Sequence, residues 1–80
     1  MINNKLKEIA TKITDYMDVI NHHMFTEEEI QEGIDDIVGM VEMGEGSEVI
    51  EKLMEEYNES EDDELLELIN ELKNICKRYN

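Results

Sequence analysis

Few side chains in this chain could do chemistry. His22 and His23 are adjacent and followed by Met24, a trio that could be imagined as a soft-metal site. Successive residues on a helix point about 100° apart, so the two rings do not converge on one ligand. No further Cys or His stands at ligand spacing, and the pair reads as solvated loop histidines. Cys76 falls on an apolar helical stripe with no activating base beside it in sequence, so a buried, inert thiol is expected. The acidic run Glu59, Glu61, Asp62, Asp63, Glu64 lacks the glycine turn and alternating oxygen ligands of a calcium loop. It reads as a connection and the first turn of a helix. Gly44-Glu45-Gly46 is too short to cradle phosphate and no lysine follows it, so it reads as a helix stop. No catalytic residue, cofactor or metal ligand is assigned, and the chain is not expected to be an enzyme.

Charge is the more informative property. The 80 residues hold 22 Asp and Glu against 7 Lys and Arg, a net charge of −15. The excess belongs to residues 25–64, where 17 acids face Lys52 alone. Such a density of carboxylates costs stability through self-repulsion, keeps a protein soluble, and attracts basic partners from a distance. It disfavours direct nucleic-acid binding, since phosphate binding needs a basic surface and this one would repel it. The start MINNKLKEIATK has no continuous apolar segment, and no run approaches the roughly 20 residues needed to cross a bilayer. With a single cysteine and no signal peptide, a cytoplasmic protein away from membranes is expected.

The elements that must position these groups are helices. With no Pro and four Gly among 80 residues, breakers are confined to a few places. Ile2, Leu6, Ile9, Ile13, Tyr16 and Ile20, with Met17 alongside, step by four and three, which fits one stripe of a helix over about 3–21. Thr26 and Glu29 form a capping-box pair, Phe25 can staple onto Ile30, and Ile30, Ile34, Ile37 and Val41 make the stripe of a helix over about 27–43. Ser47 is expected to cap a short third helix, about 48–57, carrying Val49, Ile50, Leu53, Met54 and Tyr57. Ser60 is expected to cap the fourth, about 61–79, with Leu65, Leu68, Leu72, Ile75 and Tyr79, broadened by Leu66, Ile69 and Cys76. Three long amphipathic helices and a short one, joined by brief loops, predict an all-α fold: a single four-helix bundle spanning residues 1–80. The same spacing on the first and last helices would suit an oligomer as well as a monomer.

Residues 27–50, EEEIQEGIDDIVGMVEMGEGSEVI, resemble the central part of the colicin-type bacteriocin immunity proteins. The matching features are Glu27-Glu28-Glu29, the Ile30/Ile34/Ile37 stripe, Met40-x-Glu42 and Gly46-Ser47-Glu48-Val49-Ile50. The resemblance implies four helices with a short third, and an inhibitor that neutralises a basic toxin, often a nuclease. It implies a partner-binding surface at Glu27, Ile30, Ile34, Glu42 and Glu48, although periodicity puts Ile30 and Ile34 on the core stripe. Glu28, Glu32 and Asp35 join that surface from the exposed acidic face. The family's paired tyrosines after this segment are replaced by Glu51-Lys52-Leu53, its loop proline by Gly44, and the tryptophan of its last helix is missing. Buried aromatic anchors usually carry most of an interface's energy, so the expected hot spot is missing. Two other readings share the acidic helical build. One is a phage or mobile-element nucleic-acid mimic, of the anti-restriction or anti-CRISPR kind, whose carboxylates stand in for phosphates. The other is an acyl-carrier-like protein, disfavoured because the Asp-Ser-Leu attachment motif is here Gly46-Ser47-Glu48.

Overall fold

A computed structural model describes residues 2–79, with side chains from Asn4 to Arg78. Ile2 and Tyr79, assigned above to apolar stripes, have side chains outside that range. Four helices follow one another: α1 (Ile2–Ile20), α2 (Glu27–Glu42), α3 (Gly46–Ser60) and α4 (Asp63–Tyr79). There is no strand among the described residues. Helix α1 packs on α2 and α4, and α3 packs on the same two, whereas the backbones of α1 and α3 stay more than 8 Å apart. The helices therefore run round the bundle in chain order. Short connections make neighbours antiparallel, so one end holds the α1–α2 and α3–α4 connections and the other holds the α2–α3 turn. These are called the upper and lower ends below.

The apolar stripes meet inside. Leu6, Ile13, Leu65, Ile69, Leu72 and Val41 are almost completely withdrawn from solvent. Each such side chain contributes roughly 1.5–3 kcal/mol of burial. Ile9, Tyr16, Val49, Leu53, Leu68 and Cys76 complete the core, with Ile37, Val38, Met40, Ile50, Met54, Tyr57 and Ile75 packed around it. Helix α2 enters this core with its lower half. Higher up, Ile34 is buried outside the main cluster and Ile30 is half-buried. Small residues let α1 and α2 approach: Gly33 faces Thr14, and a Cβ on Gly33 would stand 3.1 Å from the Thr14 methyl. Buried Thr14 satisfies its own hydroxyl by donating to Ala10 O at 2.9 Å.

The ends of α2 follow the sequence. Glu29 N–H donates to Thr26 Oγ1, Thr26 N–H donates to Glu29 Oε1, both at 3.1 Å, and the capping box is complete. Gly44 takes φ +82 just beyond the helix, a conformation glycine adopts without steric cost.

The third helix departs from expectation. It spans 15 residues, against 16 for α2, and is not short. Ser47 lies within its first turn rather than capping it, because helical geometry begins at Gly46 with no side-chain cap. Gly46 is thus a helical residue, and its role is close approach: a Cβ there would collide with Cys76 Sγ on α4. At the other end Asn58, Glu59 and Ser60 remain helical, and the stop comes at Glu61. This residue takes φ +52 and donates its N–H to Tyr57 O at 2.7 Å. Asp62, not Ser60, then caps α4, accepting from Glu64 N–H at 3.0 Å through Oδ1.

Candidate acidic interface

The bundle segregates charge because the acidic and the mixed-charge segments fold onto different flanks. Helices α2 and α3 hold twelve carboxylates and one lysine, net −11, whereas α1 and α4 hold seven carboxylates and six bases, net −1. On α2 and α3 every carboxylate is exposed except Glu56, which is half-buried. None of them is paired with a Lys or Arg among the described residues; the only such pair is Lys12 with Glu8 on α1, at 3.7 Å. There is a gradient along the bundle as well. Lys5, Lys7, Lys73, Lys77 and Arg78 lie toward the lower end, while Glu27–Glu29 and the run Glu59–Glu64 crowd the upper end.

The sequence-assigned partner-binding residues fall into three groups. Glu28, Glu32 and Asp35 share the outward face of α2, spaced by one and two turns, with Asp35 accepting from Gln31 Nε2 at 3.1 Å. Glu27 is exposed in the first turn, and half-buried Ile30 sits at its edge. Glu42 and Glu48 are exposed on either side of the α2–α3 turn, at the lower end and away from Glu27 and Glu28. Ile34 is a correction: at 7% exposure it is part of the interior, as its place on the stripe requires, and is not available to a partner.

The upper end holds a feature that the sequence did not disclose. Tyr16 Oη donates to Asp62 Oδ2 at 2.8 Å, joining α1 to the N-terminus of α4 across 46 residues of chain. Burial holds the phenol above its ordinary pKa, reinforced by the hydrogen bond to Asp62 and its negative charge. Asp62 thus caps α4 with one oxygen and anchors α1 with the other. Because Tyr16 is level with that cap, the last turn of α1 runs past the start of α4. Ile20, placed on the stripe by its spacing, is therefore 37% exposed and its neighbour Val19 is 56% exposed. The one available signal was an aspartate near a predicted helix start, which does not reveal a distant tyrosine.

The chemical candidates behave as surface or core groups. His22 and His23 are exposed in the α1–α2 connection with φ near +60, and His23 Nδ1 lies 3.1 Å from Asp18 Oδ2. The other oxygen of Asp18 accepts from Phe25 N–H at 3.1 Å, which ties down the connection. Cys76 is buried, and desolvation raises its pKa, opposing thiolate formation. Among the described residues no three His, Cys, Asp or Glu are grouped to hold a metal, and no helix is long and apolar enough to cross a membrane. Comparison with known proteins gives no matching family model, curated protein or solved structure.

Proposed function

We propose that this protein is a stoichiometric inhibitor, akin to a bacteriocin immunity protein, that neutralises a basic toxin or nuclease through its acidic helices. It does so by occlusion rather than catalysis. The observation that supports this reading is the charge segregation: a flank of net −11 whose carboxylates have no Lys or Arg partner within the described chain. Carboxylates held open on a helical scaffold repel one another, and a partner's Lys and Arg would relieve that repulsion on binding. The resemblance of residues 27–50 to the immunity-protein pattern suggests the kind of partner. The same acidic flank also suits the second reading, mimicry of nucleic acid on a nuclease groove.

The test is a retention experiment with the full chain immobilised and extract from its native host. A basic protein captured one-to-one by the native chain should be lost when Glu28, Glu32, Glu42 and Glu48 become Gln and Asp35 becomes Asn. Association should slow steeply as salt rises, because steering falls with screening. Undiminished capture by the neutralised variant refutes the reading. Displacement of bound DNA from the captured protein would assign mimicry; capture alongside bound DNA would assign immunity.

A further inference from the structure

The overrun of α1 past the start of α4 leaves a notch of about 350 Å³ at the upper end. Its apolar lining comes from Tyr16, Val19 and Ile20 on α1 and Leu68 on α4. Carboxylates of Asp15, Asp62 and Glu64 border it. The single cation on its border, Lys12, has its ammonium 3.7 Å from Glu8. The Tyr16–Asp62 hydrogen bond ties its two walls together. Its volume is at the lower end of the range of small-molecule sites, and suits a protruding side chain or two better than a cofactor.

We infer that this notch receives an aliphatic side chain of the partner protein, flanked in the partner's sequence by Lys or Arg. Charge complementarity selects that occupant. An apolar floor bordered by three carboxylates favours an apolar anchor with cations on both sides, and disfavours acidic segments or a second copy of this −15 chain. The position agrees: the notch opens at the end where Glu27–Glu29 and Glu59–Glu64 would draw a basic partner. It also supplies the apolar contact that carboxylates alone lack, since buried anchors usually dominate binding energy. The inference rests on the proposed capture of a basic protein, but it places the anchoring contact at the α1–α4 seam.

The test uses the full chain and two synthetic peptides, one with a leucine between Lys/Arg clusters and one with alanine in its place, followed by NMR. The leucine peptide should shift the methyl resonances of Val19, Ile20 and Leu68. Alanine in the peptide, or Val19→Ser with Ile20→Ser in the protein, should weaken binding about tenfold or more. Both protein positions are exposed, so the fold should survive the change, and unchanged core resonances would verify it. Shifts confined to the outer face of α2 and α3, or equal binding of both peptides, overturn the notch while leaving acidic capture standing. Absence of any shift with either peptide overturns both.

Discussion

Helices α1 and α4 and helices α2 and α3 are flanks of one bundle built to different specifications. Among the described residues the first pair supplies ten of fourteen buried apolar residues and is nearly neutral; the second supplies four and carries net −11. Of the six largest side chains buried almost completely among the described residues, only Val41 comes from the acidic flank. Packing and charge thus occupy separate parts of the molecule. Repulsion among carboxylates is spread over helices that contribute less to the core, where it costs least to the fold. The more acidic flank is the one on which the fold depends less.

That contrast can be broken most directly in the core. Leu72→Ala or Ile69→Ala on α4 should cost about 2–5 kcal/mol in urea unfolding. Half-buried Ile30→Ala on α2 and Ile50→Ala on α3 should cost less than about 2 kcal/mol, since less area is lost. Equal losses on both flanks would remove the distinction.

Next in size is the upper tie. Tyr16→Phe should cost about 1.5–3 kcal/mol, the range for losing a hydrogen bond to a charged group. The phenol pKa is raised in the folded state, so its contribution is intact below the unfolded value of about 10 and is lost as pH rises through the folded value. Urea midpoints should accordingly fall above about pH 10 in the native chain. The Phe variant should fall less steeply, and parallel curves would show that Tyr16 does not titrate with folding.

Gly46→Ala probes the seam between the flanks. The added methyl meets Cys76 Sγ and should cost about 1–3 kcal/mol. Combining it with Cys76→Ala should give a double variant more stable than the sum of the two single losses, as expected for residues in contact. Strict additivity would mean that the two positions are not in contact.

The smallest effect has the opposite sign. Glu28→Gln, Glu32→Gln and Asp35→Asn should each stabilise by a few tenths of a kcal/mol at low salt, by relieving like-charge repulsion. In about 1 M salt, where the screening length is near 3 Å, the gain should vanish. Glu8→Gln on α1, which loses a Lys12 pair, should be neutral or slightly destabilising. Thermal melts at the two salt concentrations would separate these outcomes.

The sequence made the helices legible because stripe residues and local caps are matters of spacing. Thr26, Glu29 and Gly44 act within a few residues of themselves, and all three behave as their types dictate. Prediction failed where a local choice was settled from far away. Ser60 and Asp62 are both good caps, and Asp62 is also held by Tyr16, 46 residues earlier. Glycine at position 46 reads as a breaker, yet its missing side chain serves a sulfur on another helix. The acidity of the candidate interface could be counted in advance, and the outward positions of Glu28, Glu32 and Asp35 could be read from spacing. The notch could not, since it exists only because two helices differ in where they end.

The glycine over the sulfur has a practical consequence. This chain has one thiol, and that thiol is buried against the first turn of α3. An alkylating reagent should reach it faster when α3 lifts from α4 at the lower end or the whole domain unfolds. The rate of labelling under native conditions is therefore a built-in clock for how often the two flanks part, readable by mass alone.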